Sequence, residues 1–163
     1  MKRNYVSAAL LIFIAFLFLS FNGQSKKVRK NEAIANAFIE TLNTQDIDQF
    51  VSLFSEDAVY DEICSGRKYT GREGIHTYIQ STLSGIPDSK FIIVAVIANE
   101  EMATVEWVWE GTNSVGWPAM NIAPTDKSFS IKGISIMTIE NERIVKNNDY
   151  WDWNSFMKGI GAN

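Results

Sequence analysis

Residues 103–112 read Ala103-Thr104-Val105-Glu106-Trp107-Val108-Trp109-Glu110-Gly111-Thr112. Val105, Trp107 and Trp109 alternate with Glu106, Val108 and Glu110, the period-two pattern of a strand with one packed face and one polar face. The preceding run 90–98 (KFIIVAVIA) is β-branched and apolar, and Asn99-Glu100-Glu101 supplies the turn between them. Further on, 128–139 and 143–153 form a second strand pair around Glu140-Asn141-Glu142. The second half of the chain is therefore expected to be an antiparallel sheet. Segment 113–127, with Gly116, Trp117, Pro118 and Pro124, is a long connection of the kind that forms a lid, a rim or an interface.

The first half is helical. In 31–43, Ile34, Phe38 and Leu42 recur every four residues, which marks an amphipathic helix. A second helix is capped by Thr44 or Asp46 and carries the stripe Ile47, Phe50, Val51 and Phe54. After a short strand at 58–63, in which Tyr60 and Glu62 share a face, Ser65-Gly66-Arg67 turns the chain. Thr70-Gly71 then opens a third helix with Ile75, Tyr78, Ile79 and Leu83 inward. Three helices, mostly before the long strands, give an α+β domain: a curved antiparallel sheet wrapped around three N-terminal helices, with a hollow between the layers.

Ahead of this domain, Lys2 and Arg3 followed by the apolar run 8–19 and small or polar residues match a secretory signal peptide. Cleavage after Gly23 or Ser25 fits, so residues 1–25 are expected to be a signal peptide and 26–163 the exported domain, periplasmic or secreted. Lys26, Lys27, Arg29 and Lys30 leave an uncleaved membrane anchor as the alternative. Removing residues 1–23 takes away two basic groups and no acid, so the net charge moves from −4 to −6. Such a domain is not expected to bind nucleic acid. Cys64 is the only cysteine and His76 the only histidine. No spacing fits a metal site, and neither a metal nor another cofactor is expected.

The candidate site lies at 146–153, Lys146-Asn147-Asn148-Asp149-Tyr150-Trp151-Asp152-Trp153. On a strand, Asn147, Asp149 and Trp151 share one face. An aromatic wall around a carboxylate disfavours its charged form and raises its pKa, as proton-transfer chemistry requires. The same sequence also fits a half-exposed edge strand whose acids face water, and the tryptophans also fit a plain core.

Asn43-Thr44-Gln45-Asp46-Ile47-Asp48, Leu53 to Tyr60, Gly71-Arg72-Glu73-Gly74-Ile75, Glu106 to Thr112, Pro124 to Lys127 and Asn148 to Asp152 together resemble the SnoaL-like polyketide cyclases. These belong to the cone-shaped nuclear-transport-factor-2-like superfamily that includes ketosteroid isomerase. The resemblance runs over roughly 32–161 and implies a cone with an internal pocket. It puts Asp149 on the cyclases' acid/base aspartate, whereas Gly133 and Ser135 stand where the cyclases carry glutamine and histidine. Glu62 falls on the isomerases' general-base aspartate, while Phe38 and Ser135 replace their oxyanion tyrosine and protonated aspartate. Catalytic roles are thus implied for Asp149 and Glu62, in a pocket lined by Phe38, Tyr60, Val105, Trp107, Ser135, Asn147 and Trp151. A homodimer is also implied. Two functions remain open: acid/base catalysis of cyclase, isomerase or lyase type on a small apolar carbonyl compound or ester, and non-catalytic binding or carriage of a small apolar ligand.

Overall fold

The computed structural model describes residues 24–162, so the segment expected to be a signal peptide lies almost entirely outside the described residues. Helix α1 (Lys26–Thr44) starts earlier than its apolar spacing indicates, because Ser25 caps it by accepting the Val28 N–H at 3.2 Å. Its stripe buries Ala35, Phe38, Ile39 and Leu42, and Gln45 closes it in the left-handed conformation. Helix α2 (Ile47–Ser52) is capped by Asp46, which accepts from Gln49 N at 2.9 Å.

Phe54, expected on the α2 stripe, instead begins strand β1 (Phe54–Glu62). Its carbonyl is held by Arg72 Nε and Nη2 at 2.9 and 2.7 Å, which fixes the strand start against the next helix. Strand β2 (Arg67–Thr70), too short and polar to stand out in sequence, returns along β1. Helix α3 (Gly71–Gly85) follows, then β3 (Lys90–Ala98), β4 (Met102–Thr112), β5 (Ser128–Glu140), β6 (Arg143–Trp151) and α4 (Trp153–Ile160). No helix among the described residues is long and apolar enough to cross a membrane.

The six strands form one curved, unclosed sheet in the order β2-β1-β6-β5-β4-β3. Every pairing is antiparallel except β1 with β6, which run parallel. That pairing settles the position of the candidate site. The β5–β6 hairpin leaves one edge of β6 free, and β1 occupies it, so β6 is an interior strand and the edge-strand reading of 146–153 does not hold. Helix α1 packs on β3 and β4, α3 on β1, and α4 on β5. The face of β4 that meets these helices carries the alternating buried residues Val105, Trp107 and Trp109, whereas β3 buries only Phe91.

The connection 113–127 is a rim tied to itself. Asn113 Nδ2 donates to the Ala123 carbonyl and Thr125 Oγ1, and Trp117 bridges to Ile122 while its ring is buried in the core.

Candidate functional site

Strand register arranges the inward residues in rows. One row runs Glu62 on β1, Asp149 on β6, Ser135 on β5 and Val105 on β4. The row on one side holds Tyr60, Asn147, Met137 and Ala103, and the row on the other holds Trp151, Gly133 and Trp107. All the strand residues expected at the site thus share one face of the sheet, and the two carboxylates are direct neighbours on adjacent strands. Asp149 is 5% exposed and Glu62 0%. Phe38 comes from α1 and lies nearly parallel to the Tyr60 ring, at 6.5 Å and 15°.

Asp149 is held by three donors. The Tyr60 hydroxyl donates to Oδ2, and Asn147 Nδ2 donates to Oδ1 at 2.7 Å. Ser135 is the third. Its Oγ accepts the Trp107 indole N–H at 2.9 Å, which leaves the Ser135 O–H free to point at Asp149. Burial pushes Asp149 up to about 6 from its ordinary 3.8, the three hydrogen bonds pull it back, and the Glu62 charge adds to the rise. Tyr60, wholly enclosed beside that carboxylate, is held well above the usual phenol range, first by burial and then by Asp149.

Glu62 accepts from Ser65 Oγ on Oε2 and from Trp151 Nε1 on Oε1 at 3.2 Å. The Tyr78 hydroxyl bonds it as well, and burial drives Tyr78 well above the phenol range. Tyr78 was not legible as a site residue, because its place on the inner stripe of α3 looks like packing; its only signal is a hydroxyl on that stripe. The sequence departures at 38 and 135 therefore have a structural counterpart: phenolic donors reach the carboxylates from positions 60 and 78.

Gly133 has a comparable explanation. A Cβ built there would sit 2.1 Å from the Trp107 ring, so the indole occupies the space above this glycine. Of the remaining candidates, Asp152 caps α4 through Ser155 N at 2.9 Å and points away from the site. Cys64 is half-buried with its thiol pushed up to about 12 by burial and by Glu62, which leaves it protonated and unreactive. His76 lies 3.9 Å from Asp48 on the surface. Among the described residues no three His, Cys, Asp or Glu side chains gather as a metal site.

The hollow is walled by Tyr60, Tyr78, Phe91, Trp107, Trp109 and Trp151 with Asp149 among them. Its free volume is only about 30 Å³. That is room for roughly one or two waters, far below the roughly 300–1,000 Å³ of a ligand pocket. A ligand enters only if a side chain or an element moves.

A family model described as the SnoaL-like domain matches residues 35–147, a stretch that includes Tyr60, Glu62, Tyr78 and Ser135 and ends just before Asp149. No curated protein matches the sequence. Among solved structures, a protein of Jannaschia sp. CCS1 assigned as a SnoaL-like polyketide cyclase superposes with a TM-score of 0.79 at 13% identity, covering 87% of this chain and 99% of that one. A Catenulispora acidiphila protein with a ketosteroid isomerase-like fold, solved with trimethylamine, gives 0.69 at 21% identity, covering 80% and 93%. IdmH of Streptomyces antibioticus, assigned as a polyketide cyclase, gives 0.68 at 20% identity, covering 80% and 97%. At these identities the likeness is one of fold, and it agrees with the cone built by the sheet and helices described above. With the family model covering more than half of its length, the chain belongs to the SnoaL-like domain family.

Proposed function

We propose that this is an exported acid/base catalyst in which the Asp149 carboxylate takes a proton from the carbon next to the carbonyl of a small apolar ketone or ester and returns it. The observation that carries this reading is the buried Glu62–Asp149 pair on adjacent strands, with Asp149 raised to about 6. A base of that pKa is mostly ionised at neutral pH yet strong enough to accept a carbon-bound proton. Tyr78, bonded to Glu62 at the wall of the hollow, is the hydroxyl that can turn to the developing enolate oxygen. The likeness to cyclase and isomerase folds supports the reaction type.

The test is deuterium exchange at the α-carbon across a panel of small ketones, followed by proton NMR. The expected result is exchange that rises with pH, is half-maximal at about 6 and levels off about a unit higher. It should fall about a hundredfold or more in Asp149→Asn. Absence of enzyme-dependent exchange with ketones that do bind would leave the second reading, a non-catalytic binding domain. One observation favours that reading: Tyr60, Asn147 and Ser135 all direct their donors at Asp149 itself.

Export rests on Lys2, Arg3 and the apolar run 8–19. The intact mass of protein recovered outside the cytoplasm of an expression host should correspond to a chain starting after Gly23 or Ser25. A full-length chain retained in the membrane fraction would overturn the cleaved form.

A further inference from the structure

Phe156 is surrounded by five aromatic rings, of which Trp153 belongs to its own helix, tilted at 49°, and the other four form a box on the body of the domain. Phe156 lies parallel to Trp109, with centroids 5.8 Å apart and 9° between planes. Trp117, Phe129 and Trp151 stand at 89°, 82° and 90° to it. One floor and three edge-on walls are the arrangement by which ring quadrupoles select a flat aromatic guest. The indoles of this box are fixed without help from their occupant. Trp109 Nε1 donates to Ser89 Oγ at 3.0 Å, Trp117 Nε1 to Ser81 Oγ at 3.2 Å, and Trp151 Nε1 to Glu62 Oε1 at 3.2 Å. Trp109 is also backed by Phe91, parallel at 5.5 Å and 6°.

The occupant, by contrast, belongs to a short element. Helix α4 has eight residues and buries only Phe156 and Ile160. Its N-terminus is held by Asp152, whose exposed carboxylate accepts Ser155 N and Ser155 Oγ at 2.9 and 2.6 Å. Two walls of the box, Trp109 and Trp151, also line the hollow that contains Asp149. The box and the hollow therefore adjoin, with Trp109 and Trp151 as their common wall.

We infer that the box is the binding site for the single aromatic ring of a small aryl ketone, and that Phe156 is its resting occupant, displaced when α4 swings off the sheet. The ring takes the place of Phe156 and the carbonyl end reaches into the hollow toward Asp149. Only that last direction rests on the acid/base reading; the binding itself does not. Because the site opens only when α4 undocks, the ligand's affinity is reduced by the undocked fraction. Weakening the dock must then tighten binding, which is the opposite of what a merely structural helix would do.

Acetophenone is the probe, with cyclohexyl methyl ketone as a control of similar size that is not flat. Wild-type mature domain should bind acetophenone by calorimetry and not the control, and amide hydrogen exchange across 153–160 should rise on binding while that of β4 and β6 does not. Asp152→Ala removes the cap from an exposed position outside the box, and its dissociation constant should fall about fivefold. Both readouts, calorimetry and amide exchange across 153–160, are independent of turnover, so acetophenone that binds and frees 153–160 without α-carbon exchange would sink the catalytic reading and leave this one standing. No acetophenone binding, equal binding of the cyclohexyl ketone, unchanged or weaker binding by Asp152→Ala, or continued protection of 153–160 in the complex would each overturn the inference.

Discussion

Asp149→Asn is expected to make the folded domain more stable at neutral pH, by up to about 3 kcal/mol, while removing its chemistry. Asp149 is enclosed and raised from 3.8 to about 6, so the folded state holds the proton to higher pH than the unfolded chain does. The stability contributed by that proton is fully present below about pH 4 and is lost as pH rises through 6. Above pH 7 the wild-type domain carries a buried charge held by three donors, which the amide replaces with a neutral group that still accepts from Asn147 and meets the Tyr60 oxygen with an N–H. Urea unfolding of the two proteins at a series of pH values measures the difference. It should be small near pH 4 and widen in favour of the variant up to pH 7. A variant equally destabilised at every pH would mean that Asp149 holds the core together through its hydrogen bonds and that its charge is not a burden.

The second large effect belongs to Gly133→Ala. The new methyl would meet the Trp107 ring at 2.1 Å, far inside contact distance, and Phe91, packed edge-on against the indole, hinders its retreat. Overpacking of this kind destabilises by about 3 kcal/mol. Trp107→Leu on the Gly133→Ala background should recover part of that loss, since the smaller side chain vacates the space above position 133. Such a double-mutant cycle is non-additive only if the two side chains compete for one volume. Strict additivity in chemical denaturation would show that Trp107 does not lie over Gly133.

These two residues also show where sequence reasoning worked and where it stopped. The alternation of Val105, Trp107 and Trp109 identified the inward face of β4 because period two survives burial on one side only. The same logic placed Asp149 with Asn147 and Trp151, and a resemblance supplied Phe38, Glu62 and Ser135 on the facing elements. The parallel partnership of β1 with β6 was not legible, because strand pairing across most of the chain leaves no local pattern, and with it the interior position of Asp149 stayed open. Tyr78 escaped notice because a helix stripe records which side is buried and not which hydroxyl finds a carboxylate. The near absence of free space in the hollow could not be read either. It depends on how Trp107 lies over Gly133 and how Tyr78 of α3 meets the sheet, both properties of packing between distant segments.

Carboxyl-resolved NMR titration of the folded domain, with Asp149→Asn as the assignment control, tests the central claim most directly. Asp149 should titrate near 6, and Tyr60→Phe should move it higher still, because the phenol's hydrogen bond lowers it. A value at or below the ordinary 3.8 would identify a structural acid satisfied by its donors, and the acid/base function would have to be given up.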